Sequence, residues 1–177
     1  MGFGRFLTRL PDPVKDAIKE RVWPRALAEG EMVPEWHLQA HDRTWHRQGP
    51  HWSILHFLPS CPDDPRIGTA LDDLQARLEG FRSLKAEVWA VMMEEEAALQ
   101  GIAATHGLTF PLLTDRGGSV SRLFRAAIQL PLHPMVLPTL YVVNPQKKVR
   151  LANRGFPSVE AVFRSIQALQ QAARGGM

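Results

Sequence analysis

Two short apolar runs, residues 54–58 and 88–93, are each followed by a helical stretch, and this repetition limits the possible folds more than any other feature of the chain. The first run, Ile54-Leu55-His56-Phe57-Leu58, stops at Pro59 and reads as a buried strand. After an irregular segment, apolar residues fall at Ile67, Leu71, Leu74, Leu78 and Phe81, the stripe of one long amphipathic helix. Asp64 is the expected N-cap, with Pro65 at the first helical position. The second run predicts another buried strand, followed by a helix over 94–106 that ends at Gly107. Glu94, Glu95 and Glu96 read as its negative first turn. Strand, helix, strand, helix is the parallel βαβ pattern.

The rest of the chain departs from that repeat. Residues 110–113 predict a short strand and 115–125 a turn with a short helix; Gly117-Gly118 is a turn, since no Gly-Lys-Ser/Thr follows it. Residues 130–138 read as a proline-rich loop. Residues 139–143, a turn at 144–148 and residues 149–152 predict a β-hairpin. Pro157 and Ser158 then cap a last helix, with Val159, Val162, Phe163, Ile166 and Leu169 on its buried stripe. Upstream, the polar stretch 36–52 ends in Gln48-Gly49-Pro50, as a short hairpin or edge strands would. Asp12 and Pro13 open a helix carrying Val14, Ile18 and Val22, which Pro24 ends. The expectation is an N-terminal helical extension over 1–30 and one α/β domain over 31–177, a mixed central sheet flanked by helices on both faces.

Composition narrows the function classes. The chain has 177 residues, enough for one domain with its own core, and its 21 Lys and Arg against 18 Asp and Glu are scattered, so no nucleic-acid partner is implied. No apolar stretch approaches the roughly 20 residues of a membrane span, and Met1-Gly2-Phe3-Gly4-Arg5 does not resemble a secretory signal, so a cytoplasmic protein without a membrane partner is expected. Cys61 is the single cysteine, which leaves no intramolecular disulfide and no cysteine-based zinc site. His37, His41, His46, His51 and His56 lack ligand spacing, so neither a metal nor a cofactor is expected. Trp36, Trp45, Trp52 and Trp89 read as core or half-buried aromatics, and Met92-Met93 as core filling.

Several segments carry a family resemblance. Val33-Pro34-Glu35-Trp36-His37-Leu38 is similar to the "APDF-L" opening of the peroxiredoxin family (alkyl hydroperoxide reductase/thiol-specific antioxidant), and Phe57-Leu58-Pro59 to the strand end and proline of its active-site loop. The run His106-Gly107-Leu108-Thr109-Phe110-Pro111-Leu112-Leu113-Thr114-Asp115 resembles the family's "HGL-FPLLSD" segment. Leu137-Pro138-Thr139 looks like the thioredoxin-fold loop whose proline is usually cis and faces the active-site loop. The resemblance, over about residues 32–169, implies a thioredoxin-like fold and a thiol-dependent antioxidant peroxidase that takes a peroxide and an external thiol reductant.

The site residues the resemblance implies are Cys61, Pro59, Asp64, Arg66 and Pro138, with departures from the family pattern. Counting from Pro59 puts the family's peroxidatic cysteine near Arg66 or Ile67, while Cys61 lies earlier and Asp64 stands near the family's Thr or Ser. Aligned to a thioredoxin Cys-x-x-Cys loop, Cys61-Pro62-Asp63-Asp64 matches the first cysteine and the proline instead. No Arg stands at 136–138, where the family's thiolate-supporting Arg is expected, leaving Arg66, Arg122 and Arg125 to be considered. A peroxidatic thiol must ionise near neutral pH, below the value of about 8.5 for free cysteine, and Asp63 and Asp64 oppose that. The readings are a one-cysteine thiol peroxidase, a thioredoxin-fold binding or regulatory module that has lost the chemistry, or a monothiol reductase acting on protein partners. With one cysteine, sulfenic acid formed at Cys61 needs an external thiol or a cysteine of another chain, including a homodimer partner.

Overall fold

The computed structural model describes residues 24–61, 63–132 and 134–175. The helix expected from Asp12 and Pro13, with Val14, Ile18 and Val22, lies outside the described residues. Among the described residues nine strands form, in chain order β1 His37–Ala40, β2 Trp45–Arg47, β3 Trp52–Leu58, β4 Ala86–Met92, β5 Leu112–Thr114, β6 Ala127–Gln129, β7 Pro134–Val136, β8 Thr139–Val143 and β9 Val149–Arg154. Seven make one mixed sheet in the order β2-β1-β5-β4-β3-β8-β9, and β6 pairs with β7 apart from it. β3 and β4 are parallel in continuous register from Trp52↔Ala86 to Leu58↔Met92.

Five α-helices, α1 Pro65–Ala76, α2 Leu78–Ser83, α3 Glu96–His106, α4 Ser119–Leu123 and α5 Val159–Gly175, and a 3-10 turn at Arg116–Gly118 complete the described fold. Side chains alternate along β3, so Ile54 and Leu58 join one core with Leu71, Leu74, Leu99 and Ile166, while Leu55 and Phe57 join another with Trp36, Phe124 and Tyr141. The first core lies under α1, α2, α3 and α5. The second lies under α4 and the segment before β1, where Tyr141 accepts from Leu27 N–H and donates to the Phe124 carbonyl. No helix among the described residues is long and apolar enough to cross a membrane.

Four expectations change. The long helix over the stripe 67–81 breaks at Arg77, whose guanidinium packs 4.0 Å from the Phe163 ring centroid and pairs with Glu160 of α5. A Cβ at Gly80 would come within 3.0 Å of Phe163, so the bend brings α2 close under α5. Residues 130–138, expected as loop, contain β7. Trp45, expected as core or half-buried, is 60% exposed, because on edge strand β2 it alternates with His46 and takes the open face. It stacks there on His37 at 4.5 Å. No cis peptide occurs among the described residues, so Leu137–Pro138 is trans; Leu137 N–H donates to the Ala126 carbonyl, and the Leu137 carbonyl accepts from Thr139 Oγ1.

His56 is an imidazole buried in the center of the sheet. Its Nε2–H donates to the Gly155 carbonyl at 3.3 Å, and Nδ1 has no partner among the described residues. Burial pushes its pKa down to about 4, with the Gly155 bond acting weakly the other way. Its value in the folded protein is thus below the unfolded one, so stability is full above about pH 6.5 and falls with pH down to about 4. Between pH 7 and pH 5 this group should remove about 2 kcal/mol. Thermal melts of wild type and His56→Met across that window check this: the wild type should lose more stability than the variant.

Candidate active site

Parallel β3 and β4 leave the sheet at the same end, which places the chain after Leu58 beside the chain after Met92. Pro59, Ser60 and Cys61 follow β3, and Cys61 is exposed. The turn closes with Asp64 N–H donating to the Cys61 carbonyl at 3.1 Å. Asp64 then caps α1, accepting from Arg66 N–H at 3.0 Å, with Pro65 in the first turn as expected.

Arg66 folds back onto that cap. Its Nε and Nη2 both donate to the Asp64 carboxylate, the latter at 2.7 Å, while its guanidinium lies 4.9 Å from the Phe156 ring centroid. The Arg66 side-chain bonds, then its backbone N–H, hold the Asp64 carboxyl below the usual carboxylate range. Arg66 is raised mainly by Asp64 and, last among its causes, by the charge of Cys61, so the guanidinium lies within electrostatic reach of the thiol. Its charge is nonetheless spent mostly on Asp64.

Cys61 opens onto a cavity of about 540 Å³ between α1 and α3. Ile67, Leu71, Met92, Ala98 and Ile102 supply its apolar wall, and Asp64, Glu94 and His106 its ionisable groups. His106 Nδ1 donates to Asp72 at 2.7 Å, and Nε2 makes no hydrogen bond among the described residues. The ring fits because residue 68 is glycine: a Cβ there would meet His106 Cε1 at 3.0 Å. Glycine inside a helix costs roughly 0.5–1 kcal/mol against alanine, and here it lets α3 close on α1. Gly107 ends α3 in the left-handed conformation, as its position predicts.

Of the residues singled out from sequence, Cys61 and Asp64 meet at this cavity. Pro59 and Arg66 flank it, and Arg66 occupies the first turn of α1 where the family count places a cysteine. Pro138, half-buried before β8, does not line it. Arg122 is bonded to Gly117 and Gln129 and Arg125 to Glu31, both away from Cys61. Arg154, on β9, is likewise committed to Thr139, Pro24 and Arg125. Glu94, His106, Asp72 and Gly68 were not anticipated. The i, i+4 spacing of Gly68 and Asp72 places them on one face of α1, which was the available signal. Glu94 was expected inside the helix, but α3 begins at Glu96 and the Glu94 carbonyl accepts from Thr114 Oγ1 at 2.5 Å.

A mixed sheet with a cysteine loop between its central strand and a capped helix defines a thioredoxin-like α/β protein. The AhpC/TSA family model matches residues 30–152, more than half of the chain, and the protein belongs to that family. Solved structures agree on the fold. The peroxidoxin BcpB of Mycobacterium tuberculosis is similar at TM-score 0.74 and 18% identity, covering 80% of this chain and 97% of that one. A cysteine-to-serine mutant of Xylella fastidiosa PrxQ is similar at 0.72 and 17%, covering 85% and 99%. Peroxiredoxin Q of Xanthomonas campestris is similar at 0.68 and 20%, covering 75% and 90%. No curated protein matches the sequence. Family membership supports a peroxiredoxin-like, thiol-dependent peroxidase function, which implies a peroxide substrate and a thiol reductant, and Cys61 is the chain's one thiol.

Asp64 to Asn tests the electrostatics of the loop. Asparagine caps a helix about as well as aspartate, so the substitution removes a negative charge near the thiol and releases Arg66 while keeping the cap. Because a thiol reacts as its thiolate, which a nearby anion disfavors, iodoacetamide alkylation of Cys61 at pH 7 should speed up roughly two- to fivefold. An unchanged rate would mean that Asp64 and Arg66 do not influence the sulfur.

Proposed function

We propose that the protein reduces hydroperoxides with Cys61 as its nucleophile. The thiolate attacks the outer peroxide oxygen, the O–O bond breaks, and the leaving alkoxide or hydroxide takes a proton, giving cysteine sulfenic acid and an alcohol or water. An external thiol condenses with the sulfenic acid, releasing water and leaving a mixed disulfide. A second thiol exchanges with that disulfide and restores Cys61. The observation carrying this reading is an exposed thiol on the loop after the central strand, opening onto an apolar cavity in a peroxiredoxin-family fold. Pro59 shapes the loop, Asp64 fixes the helix start, Arg66 is the cation bonded to Asp64, and Pro138 precedes β8, whose Thr139 pairs with Phe57 near the end of β3. A cytoplasmic setting, where small thiols are abundant, would supply the reductant.

A second reading, a thioredoxin-fold binding module without peroxidase chemistry, draws on Arg66 standing in the first turn of α1 and on the carboxylate of Asp64 beside the thiol. Peroxide consumption in the presence of glutathione, dithiothreitol or thioredoxin separates the two. Turnover should occur with at least one reductant and disappear in Cys61→Ser; no peroxide consumption with any of the three, or equal turnover in the variant, would favor the binding module. If a second copy of this chain is the resolving partner, oxidation should yield a disulfide-linked homodimer on non-reducing gels.

A further inference from the structure

We infer that Glu94 sets specificity within the hydroperoxide class by disfavoring anionic substrates in the Cys61 cavity. The inference rests on the proposed role of Cys61. The wall is apolar across α1 and α3, formed by Ile67, Leu71, Met92, Ala98 and Ile102. An occupant replaces water along that wall, so its middle must be apolar.

The charges facing the cavity are not balanced. Asp64 is neutralized by three hydrogen bonds from the Arg66 side chain. His106 is held by Asp72. On neighboring elements, Glu95 pairs with Arg116 and Glu96 with Arg43. Glu94 alone lines the cavity with no ion pair or side-chain hydrogen bond among the described residues, and its backbone is fixed by Thr114 Oγ1. Its carboxylate is therefore the uncompensated charge that an entering ligand meets. Like charges a few ångströms apart in a partly desolvated cavity repel by enough to lower occupancy about tenfold or more.

Linoleic acid hydroperoxide and its methyl ester form a matched pair that differs in one charge. Cys61 sulfenylation should be about tenfold faster with the ester at pH 7, and Glu94→Gln should bring the two rates close together. Glu94→Lys should favor the acid. Equal rates in the wild type, or an ester preference that survives Glu94→Gln, would overturn the inference. Binding of decan-1-ol and decanoate to Cys61→Ser, measured by calorimetry, separates failure of this inference from failure of the peroxidase reading. A preference for decanol that Glu94→Gln removes supports the charge filter even if Cys61 proves unreactive. Equal binding, or no binding, overturns it.

Discussion

The parallel register of β3 against β4 is the constraint on which the rest of the structure depends. Both strands are buried on both faces, and their continuous pairing to Leu58↔Met92 makes them end together. Whatever follows each strand must then lie side by side at the carboxyl edge of the sheet, where open α/β sheets place their sites. Here the segments are Pro59-Ser60-Cys61 and Met93-Glu94, with α1 and α3 rising from them. A slip of one residue would turn every side chain on one strand to the opposite face, moving Ile54 and Leu58 out of the core that α1 covers.

On that edge, Asp64 serves two ends that oppose each other. As an N-cap it satisfies Arg66 N–H and starts α1 beside the cysteine loop. As a carboxylate it draws the Arg66 guanidinium onto itself, so the charge of that cation is largely neutralized. The structural need for a cap and the chemical need for a positive field thus compete at one side chain. Glycine at 68 shows the reverse case, a local weakness in α1 that lets His106 and α3 close the cavity wall.

Much of this was legible in the sequence because it depends on local pattern. The buried runs gave β3 and β4, the Asp64-Pro65 signal gave the start of α1, Gly107 gave the end of α3, and hairpin turn residues at Asn144 and Pro145 gave β8 and β9. What the sequence did not disclose depends on contacts between distant elements. Arg77 breaks its helix because Phe163 and Glu160 lie across from it, and Trp45 is exposed because β2 is an edge strand with one covered face. Glu94 and His106 belong to the site only because α3 packs on α1. The position of Cys61, ahead of the helix rather than in its first turn, was visible as a spacing mismatch and stands in the structure as a loop thiol.

If Cys61 is the nucleophile that reduces peroxide, its own rate of oxidation must show it. Intact-protein mass spectrometry with stoichiometric hydrogen peroxide and dimedone as sulfenic-acid trap would follow the single thiol alone. Trapping at Cys61 should be much faster than for free cysteine under the same conditions. A rate no greater than that of free cysteine would contradict it and leave a peroxiredoxin fold whose cavity binds without catalysis.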